Sequence, residues 1–252
     1  MSTKIKIATL NLQSGVATTR GLHDFFLTGW RYWLPHSDAP IRQAGEILKK
    51  EGIQIAGVTE ISEPSLRGGS ESQLKVLSGS SDLAETHFYS SQKYGKFFFY
   101  EGNALLTQFP IKRFDSHRIY NKLMRMALEE GAIDVGGQKM SVFICHLALQ
   151  TKNRRIQIGE IIEVLKDRSE PLILMGDFNT RKDKEARDLE VLLQKTPLNH
   201  CCSLPTYPSW NPKQPRDYIF LSHHFRSINC YIPKAKAFSD HLMLVVETEL
   251  SD

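Results

Sequence analysis

Short apolar runs recur along the whole chain: KIKIATLNL, IQIAGVTEI, FFFYEGNALL, GAIDV, KMSVFICHLAL, PLILMGDF, RDYIFLS and LMLVVETEL. Each is only a few residues long, rich in β-branched and aromatic side chains, and bounded by turn formers, so each reads as a strand. Between several of them the apolar spacing becomes helical. Ile41, Ala44, Gly45 and Leu48 share a face in IRQAGEILKK; Ile158, Ile161, Ile162 and Leu165 do so in RRIQIGEIIEVLK; Leu189, Leu192 and Leu193 follow in RDLEVLLQK. Strands alternating with helices require an α/β domain with helices outside. GAIDVGGQKMSV, with Gly-Gly at its turn, adds an antiparallel hairpin, so the sheets are expected to be mixed. No shift in composition marks a linker, and residues 1–252 read as one domain. Residues 12–40 and 62–72 read as long loops, which in a compact domain are often functional.

Net charge narrows little. Thirty-two basic residues against 28 acidic ones leave +4, compatible with a phosphate-bearing substrate but far below the footprint of a dedicated nucleic-acid binder. No run approaches the length needed to cross a bilayer. Cys145, Cys201, Cys202 and Cys230 form no C-x-x-C pair, and MSTKIKIATL enters a strand pattern without a signal-peptide profile. These features lead to the expectation of a cytoplasmic protein with free thiols. Without heptads or an apolar stripe, a monomer is expected.

The strands share a peculiarity at their ends. LILMGDFNTR runs four apolar residues into a glycine and then presents Asp177 and Asn179, which share one face of an extended chain. IATLNLQ ends on Asn11 and IAGVTEIS on Glu60. VFICHLAL carries His146, RDYIFLS opens with Asp217, and AFSDHLML carries Asp240 and His241. Singly, each has an ordinary explanation as a turn residue, a solvated strand end or a hydrogen-bonded core histidine. Together they would gather several carboxylates at one sheet edge, which is electrostatically costly unless a cation sits among them. Carboxylate and amide oxygens are hard ligands suited to magnesium or manganese, whereas the zinc patterns are missing.

In order and wording these motifs resemble the endonuclease/exonuclease/phosphatase superfamily, which includes deoxyribonuclease I-like metal-dependent phosphoesterases. TLNL, TEIS, GNALLTQFPI, MRMALEE, CHL, GDFNT, DYIF and SDH follow the superfamily order from residue 5 to residue 247. GDFN followed by SDH, with an early strand-end Glu, is the specific part. The resemblance implies a four-layered α/β sandwich, with two mixed β-sheets face to face, flanked by helices, and the site at one edge.

It also implies roles. Glu60 would be the principal ligand of Mg2+, with Mn2+ as a possible substitute. Asn11 would support the metal or phosphate, and Asp240 would serve a metal. Asp177 would orient and deprotonate the attacking water, with Asn179 donating to phosphoryl oxygens. Asp217 and His241 would form a hydrogen-bonded pair that keeps the imidazole protonated. His146 would touch phosphate or protonate the leaving group, and Arg125 would sit near the phosphate. Asn103 is a weaker carry-over. Two departures stand out: Arg216 lies directly before Asp217, where the superfamily places an arginine two residues before it, and Cys145 replaces a common Thr.

The activity implied is hydrolysis of a phosphate ester, phosphodiester preferred. A nuclease acting on DNA or RNA is the alternative, and a non-catalytic binding module is a third reading. His146 stands where abasic-site endonucleases carry asparagine, and PTYPSWNPKQPRDY does not reproduce the 5-phosphatase signature. The substrate stays open between nucleic acid and a phospholipid or sugar phosphate. Two features bear on that choice. Phe25, Phe26, Trp30, Tyr32 and Trp33 could wall the pocket or simply pack on the core. Lys152, Arg154, Arg155, Arg181, Lys182 and Lys184 would fall on site-side loops or on solvated helix starts.

Overall fold

A computed structural model of the chain describes residues 3–33, 37–66, 70–90, 100–120, 126–181 and 186–251. The strands are β1 (Thr3–Asn11), β2 (Ile55–Ser62), β3 (Glu85–Ser90), β4 (Glu101–Thr107), β5 (Ile111–Ile119), β6 (Met126–Val135), β7 (Gln138–His146), β8 (Leu172–Asp177), β9 (Leu198–Cys202), β10 (Asp217–Ser222), β11 (Phe225–Tyr231) and β12 (Leu244–Leu250). The helices are α1 (Leu22–Thr28), α2 (Ala39–Glu51), α3 (Gln73–Ser80), α4 (Thr151–Leu165) and α5 (Ala186–Lys195). Among the described residues the strands form two six-stranded sheets, ordered β11-β12-β1-β2-β4-β3 and β5-β6-β7-β8-β10-β9. Both are mixed: β1 is parallel to β2 and β7 to β8, and the other pairs are antiparallel.

Three apolar layers hold this stack together. Ile5, Ile7 and Ile55 of the first sheet meet Ile144, Met175 and Ile219 of the second. On the far side of the first sheet, Ile41, Ala44 and Leu48 of α2 and Val76 and Leu77 of α3 cover Leu10, Val58 and Leu106. On the far side of the second, Ile158, Ile161 and Leu165 of α4 and Leu192 of α5 cover Phe143, Leu174 and Phe220. Each large apolar side chain among them contributes about 1.5–3 kcal/mol by leaving water. The result is the four-layered α/β sandwich. The helical spacings read from the sequence are the buried faces of α2, α4 and α5, and Gly136-Gly137 turns the hairpin between β6 and β7 at positive φ.

Two expectations are corrected. Residues 12–40 are not a plain loop: α1 and two short 3-10 turns, Gln13–Gly15 and Gly29–Tyr32, lie within them. Nor are all four thiols free. Cys202 at the edge strand of one sheet is disulfide-bonded to Cys230 at the edge strand of the other, while Cys145 and Cys201 are free. Register explains the pairing, because the flanking strands β10 and β12 stack the two edges on one flank, a proximity that sequence spacing hides. The free-thiol argument for a cytoplasmic location falls with it. Among the described residues no helix is long and apolar enough to cross a membrane.

Candidate active site

The parallel pairs fix where the site lies. β1 and β2 run the same way, as do β7 and β8, so Asn11 and Glu60 stand at one end of the first sheet, and His146 and Asp177 at one end of the second. His146 pairs with Asp177 in register, and Asp177 with Asp217 on its other side. Residues in register share a face, so all three side chains turn inward towards the first sheet. A hydrogen bond between the sheets closes the gap: Asn11 Nδ2 donates to Asp177 Oδ2 at 3.1 Å.

Local backbone chemistry explains why these residue types end these strands. Gly176 has φ of 139°, and a Cβ there would lie 1.9 Å from the Cys145 carbonyl oxygen, so only glycine fits before Asp177. Beyond it the chain turns at once. Asp177 Oδ1 accepts the Asn179 backbone N–H at 2.8 Å, and Asn179 takes φ of 50°, a region its short polar side chain tolerates. In β2 the register with β4 slips between Val58 and Ile61, so Thr59 and Glu60 together oppose Asn103. This bulge puts Glu60 at φ of 53° and re-aims its carboxylate into the site.

The carboxylates converge. Asn11 Nδ2 also donates to Glu60 Oε1 at 3.0 Å, while Asn11 Oδ1 accepts the Gln13 N–H at 2.8 Å. The amide thereby spans Glu60 and Asp177 as a donor, a brace for both acids. His146 Nε2 lies 3.8 Å from Glu60 Oε1 and 3.7 Å from Asp177 Oδ2. On the other side of Asp177 Oδ2, His241 Nε2 lies at 3.8 Å, and His241 Nδ1 meets Asp217 Oδ2 at 2.8 Å. Thr206 Oγ1 donates to the same Asp217 oxygen. Asp177 Oδ2 thus stands where the two imidazoles and the Asn11 amide meet.

Burial sharpens the electrostatics. Asp217 and His241 are both buried. Burial alone would lower the His241 imidazole, but the carboxylates of Asp217 and Asp177 and the hydrogen bond to Asp217 push it up to about 10. Burial raises the Asp217 carboxyl, with His241 opposing. The pair therefore holds a proton firmly at the ring. Asp240 is pushed up to about 6 by burial, with Glu60 adding and His241 opposing. Its Oδ1 accepts from Ser239 Oγ at 3.2 Å, and it stands outside the clusters that Asp177 joins.

Ligand atoms of Glu60, His146 and Asp177 lie within 4.8 Å of one another, as do those of Asp177, Asp217 and His241. The second set is accounted for internally by the Asp217–His241 ion pair. The first is not, since two carboxylates there face one imidazole and an amide, a donor set that fits a hard divalent cation.

The other expected residues are distributed as follows. Asn179 Nδ2 donates to the Leu147 carbonyl at 2.9 Å, which leaves its second hydrogen for a guest. Asn103 is buried in β4 across from the Glu60 bulge. Trp30 and Trp33 are exposed on the connection that follows Asn11. Arg155 is drawn away from the site, its Nε held by Asp188 at 3.0 Å, and Arg154 is buried with its guanidinium on the Ala148 and Leu149 carbonyls. Arg125, Lys182 and Lys184 lie outside the described residues.

Sequence reasoning missed Thr206, Tyr207 and the use made of Arg216. The Arg216 guanidinium stacks 3.6 Å over the Tyr207 ring, and Nη1 reaches to 3.5 Å from Asn179 Oδ1. Tyr207 also packs on His241, ring centroids 4.9 Å apart. Nothing in the spacing of LPTYPSW announces that it folds back beneath Asp217.

Comparison with known proteins agrees with this arrangement. No curated protein sequence matches the chain. Among solved structures, a protein titled endonuclease/exonuclease/phosphatase from Beutenbergia cavernae superposes with a TM-score of 0.75 at 16% identity, over 98% of this chain and 72% of that one. The human Nocturnin catalytic domain with bound sulfate anion gives 0.71 at 17% identity, covering 98% and 94%. A mannosyl-6-phosphatase from Bacteroides thetaiotaomicron gives 0.66 at 15%, covering 97% and 99%. Identities this low establish the shared fold. The sequence profile described as Endonuclease/Exonuclease/phosphatase family matches residues 8–241, an interval that includes every strand-end side chain of the cluster. With those side chains gathered on that fold, the chain belongs to the endonuclease/exonuclease/phosphatase family.

Proposed function

We propose that the protein is a divalent-metal-dependent phosphoesterase that hydrolyses a phosphate ester, phosphodiesters preferred, by attack of water. The observation that carries this reading is the convergence on Asp177 Oδ2 of Asn11, His146 and His241, with Glu60 beside them. Glu60, with Asp177 and His146 in reach of the same point, would hold Mg2+ or Mn2+, and such an ion would draw charge from the phosphoryl oxygens and make the phosphorus electrophilic. Asp177, held through Oδ1 by the Asn179 N–H and braced at Oδ2 by Asn11, turns Oδ2 into the site to orient water and take its proton. His241, charged and fixed by Asp217, presents Nε2–H to a non-bridging oxygen where negative charge accumulates. Asn179 adds a donor from the neighbouring turn, and His146 is placed to protonate the leaving oxygen. Asn11 braces the two carboxylates, its Nδ2 donating to both.

A substrate panel tests this: bis(p-nitrophenyl) phosphate, nucleic acid, phospholipid and sugar phosphates, each with magnesium, manganese or chelator. Hydrolysis that disappears with chelator and in His241→Ala is expected. Metal-independent turnover, or none with any ester, would overturn the reading.

A further inference from the structure

Exposed apolar side chains stand on three of the connections that leave the strands at the site end. Phe26 is 84%, Leu27 69% and Trp33 71% exposed on the connection after β1; Leu66 is half exposed after β2; Leu149 is 61% exposed after β7. These are the connections that leave the strands bearing Asn11, Glu60 and His146, so all three emerge at the site end. Most of the large exposed apolar side chains among the described residues belong to this rim; Ile156 and Val191 lie on α4 and α5.

Polar bonds hold the Trp-bearing segment in shape and tie it to α3 at Gln73. Asp24 Oδ2 accepts the Thr19 and Arg20 backbone N–H groups, Arg31 Nη1 donates to the Val16 carbonyl, and Gln73 Nε2 donates to the Ser14 carbonyl. Arg31 lies over the Trp30 ring at 5.6 Å, which puts a cation beside an indole.

We propose that this rim seats the protein on a phospholipid surface. Indole, phenyl and leucyl side chains interspersed with arginine match the interface between headgroups and acyl chains, where an apolar body and a cation are both satisfied. A nucleic acid fits less well. Leu27, Leu66 and Leu149 offer no face for stacking on a base, and two of the cations expected to track a polyanion are engaged elsewhere. Arg154 is buried on carbonyls and Arg155 is paired with Asp188. Seated this way, the site end faces the headgroup layer. That a headgroup phosphate ester is the substrate rests on the phosphoesterase reading above; the docking itself does not.

The test uses vesicles of phosphatidylcholine and phosphatidylserine, about 70:30, with the wild type and a Leu27→Ser/Leu149→Ser variant. Wild type should sediment with vesicles and shift its tryptophan emission to the blue. The variant should lose about tenfold or more in vesicle affinity, equivalent to at least ~1.4 kcal/mol, while hydrolysing soluble bis(p-nitrophenyl) phosphate as before. Hydrolysis of vesicle phospholipid should fall with it. Absence of vesicle binding by wild type, or equal binding by the variant, overturns the docking. So does a variant that instead loses cleavage of single-stranded DNA, which would assign the rim to a nucleic acid. Docking without lipid turnover, in a protein that hydrolyses the soluble ester, overturns the headgroup as substrate. Docking with no ester turned over keeps the surface and removes the phosphoesterase reading.

Discussion

Two buried acidic centres of this protein are built on opposite principles. Glu130 of β6 faces α4, where its two oxygens accept from Arg168 Nη1 and Nη2 at 2.9 Å each. His117 Nε2 lies at 2.6 Å, Arg113 Nη2 at 3.3 Å and Ser141 Oγ at 3.3 Å. Burial would raise the Glu130 carboxyl, yet the hydrogen bonds and charges of Arg168 and His117 hold it below its ordinary value. At the strand ends, Glu60, Asp177 and Asp217 share two imidazoles and one amide, and Asp240 nearby is pushed up to about 6. One centre balances its charge within the protein, while the other is left with an excess of negative charge. An acid centre completed from inside is a brace, whereas one left incomplete is open to a cation from solution.

The sharpest way to break this contrast is to neutralise one acid in each centre. Asp177→Asn should lower turnover by about three orders of magnitude, the scale of losing a transition-state contact. Its thermal midpoint without metal should be unchanged or raised, because a repelling charge is gone. A stable enzyme with near-normal turnover would make Asp177 a bystander. Glu130→Gln should do the reverse. Stability falls by about 3 kcal/mol in urea titration, since Arg168 and His117 lose their counter-charge, while turnover per folded molecule stays constant.

The next residue along gives the most pH-dependent effect. Glu129 lies on the opposite face of β6, which looks towards the first sheet, since a Cβ on Gly131 would meet Leu105 there. Its side chain is fully buried, and burial pushes the carboxyl up from 4.5 to about 9, partly opposed by the Ser116 hydroxyl opposite in register. Between those values the folded protein holds a proton that the unfolded chain releases, so stability should fall as pH rises, by up to about 1.4 kcal/mol per unit. Above about 9 the fall should level off. Urea unfolding at pH 5, 7 and 9 should show this slope in the wild type and a flatter one in Glu129→Gln. Equal slopes would mean that Glu129 meets water in the folded state.

What the sequence disclosed, and what it hid, follows the position of each strand in its sheet. The runs read as strands correspond to β1, β2, β4, β6, β7, β8, β10 and β12, all interior. The strands passed over, β3, β5, β9 and β11, are the four edges. An edge strand meets solvent along one side, so its sequence carries polar residues and loses the apolar continuity that marks a strand. RFDSHR in β5 is an example, read as neither strand nor helix. Within the candidate site the difference is one of distance along the chain. Asp177, Asn179 and Asp217 were legible because strand period and termination are local. The Thr206 hydroxyl beneath Asp217 and the Tyr207–Arg216 stack depend on a loop folding back, which no local pattern encodes. Arg154 shows the opposite error. Its neighbours grouped it with residues of site-side loops or solvated helix starts, and only its burial reveals that it ties down the loop after His146.

The bond between Cys202 and Cys230 turns residues 203–229 into a closed covalent ring, and Thr206, Tyr207, Arg216 and Asp217 all lie inside it. A protease cut anywhere within that ring would leave both fragments joined until a reductant was added. The group that holds His241 would then stay tethered to the body of the protein even after the chain is severed.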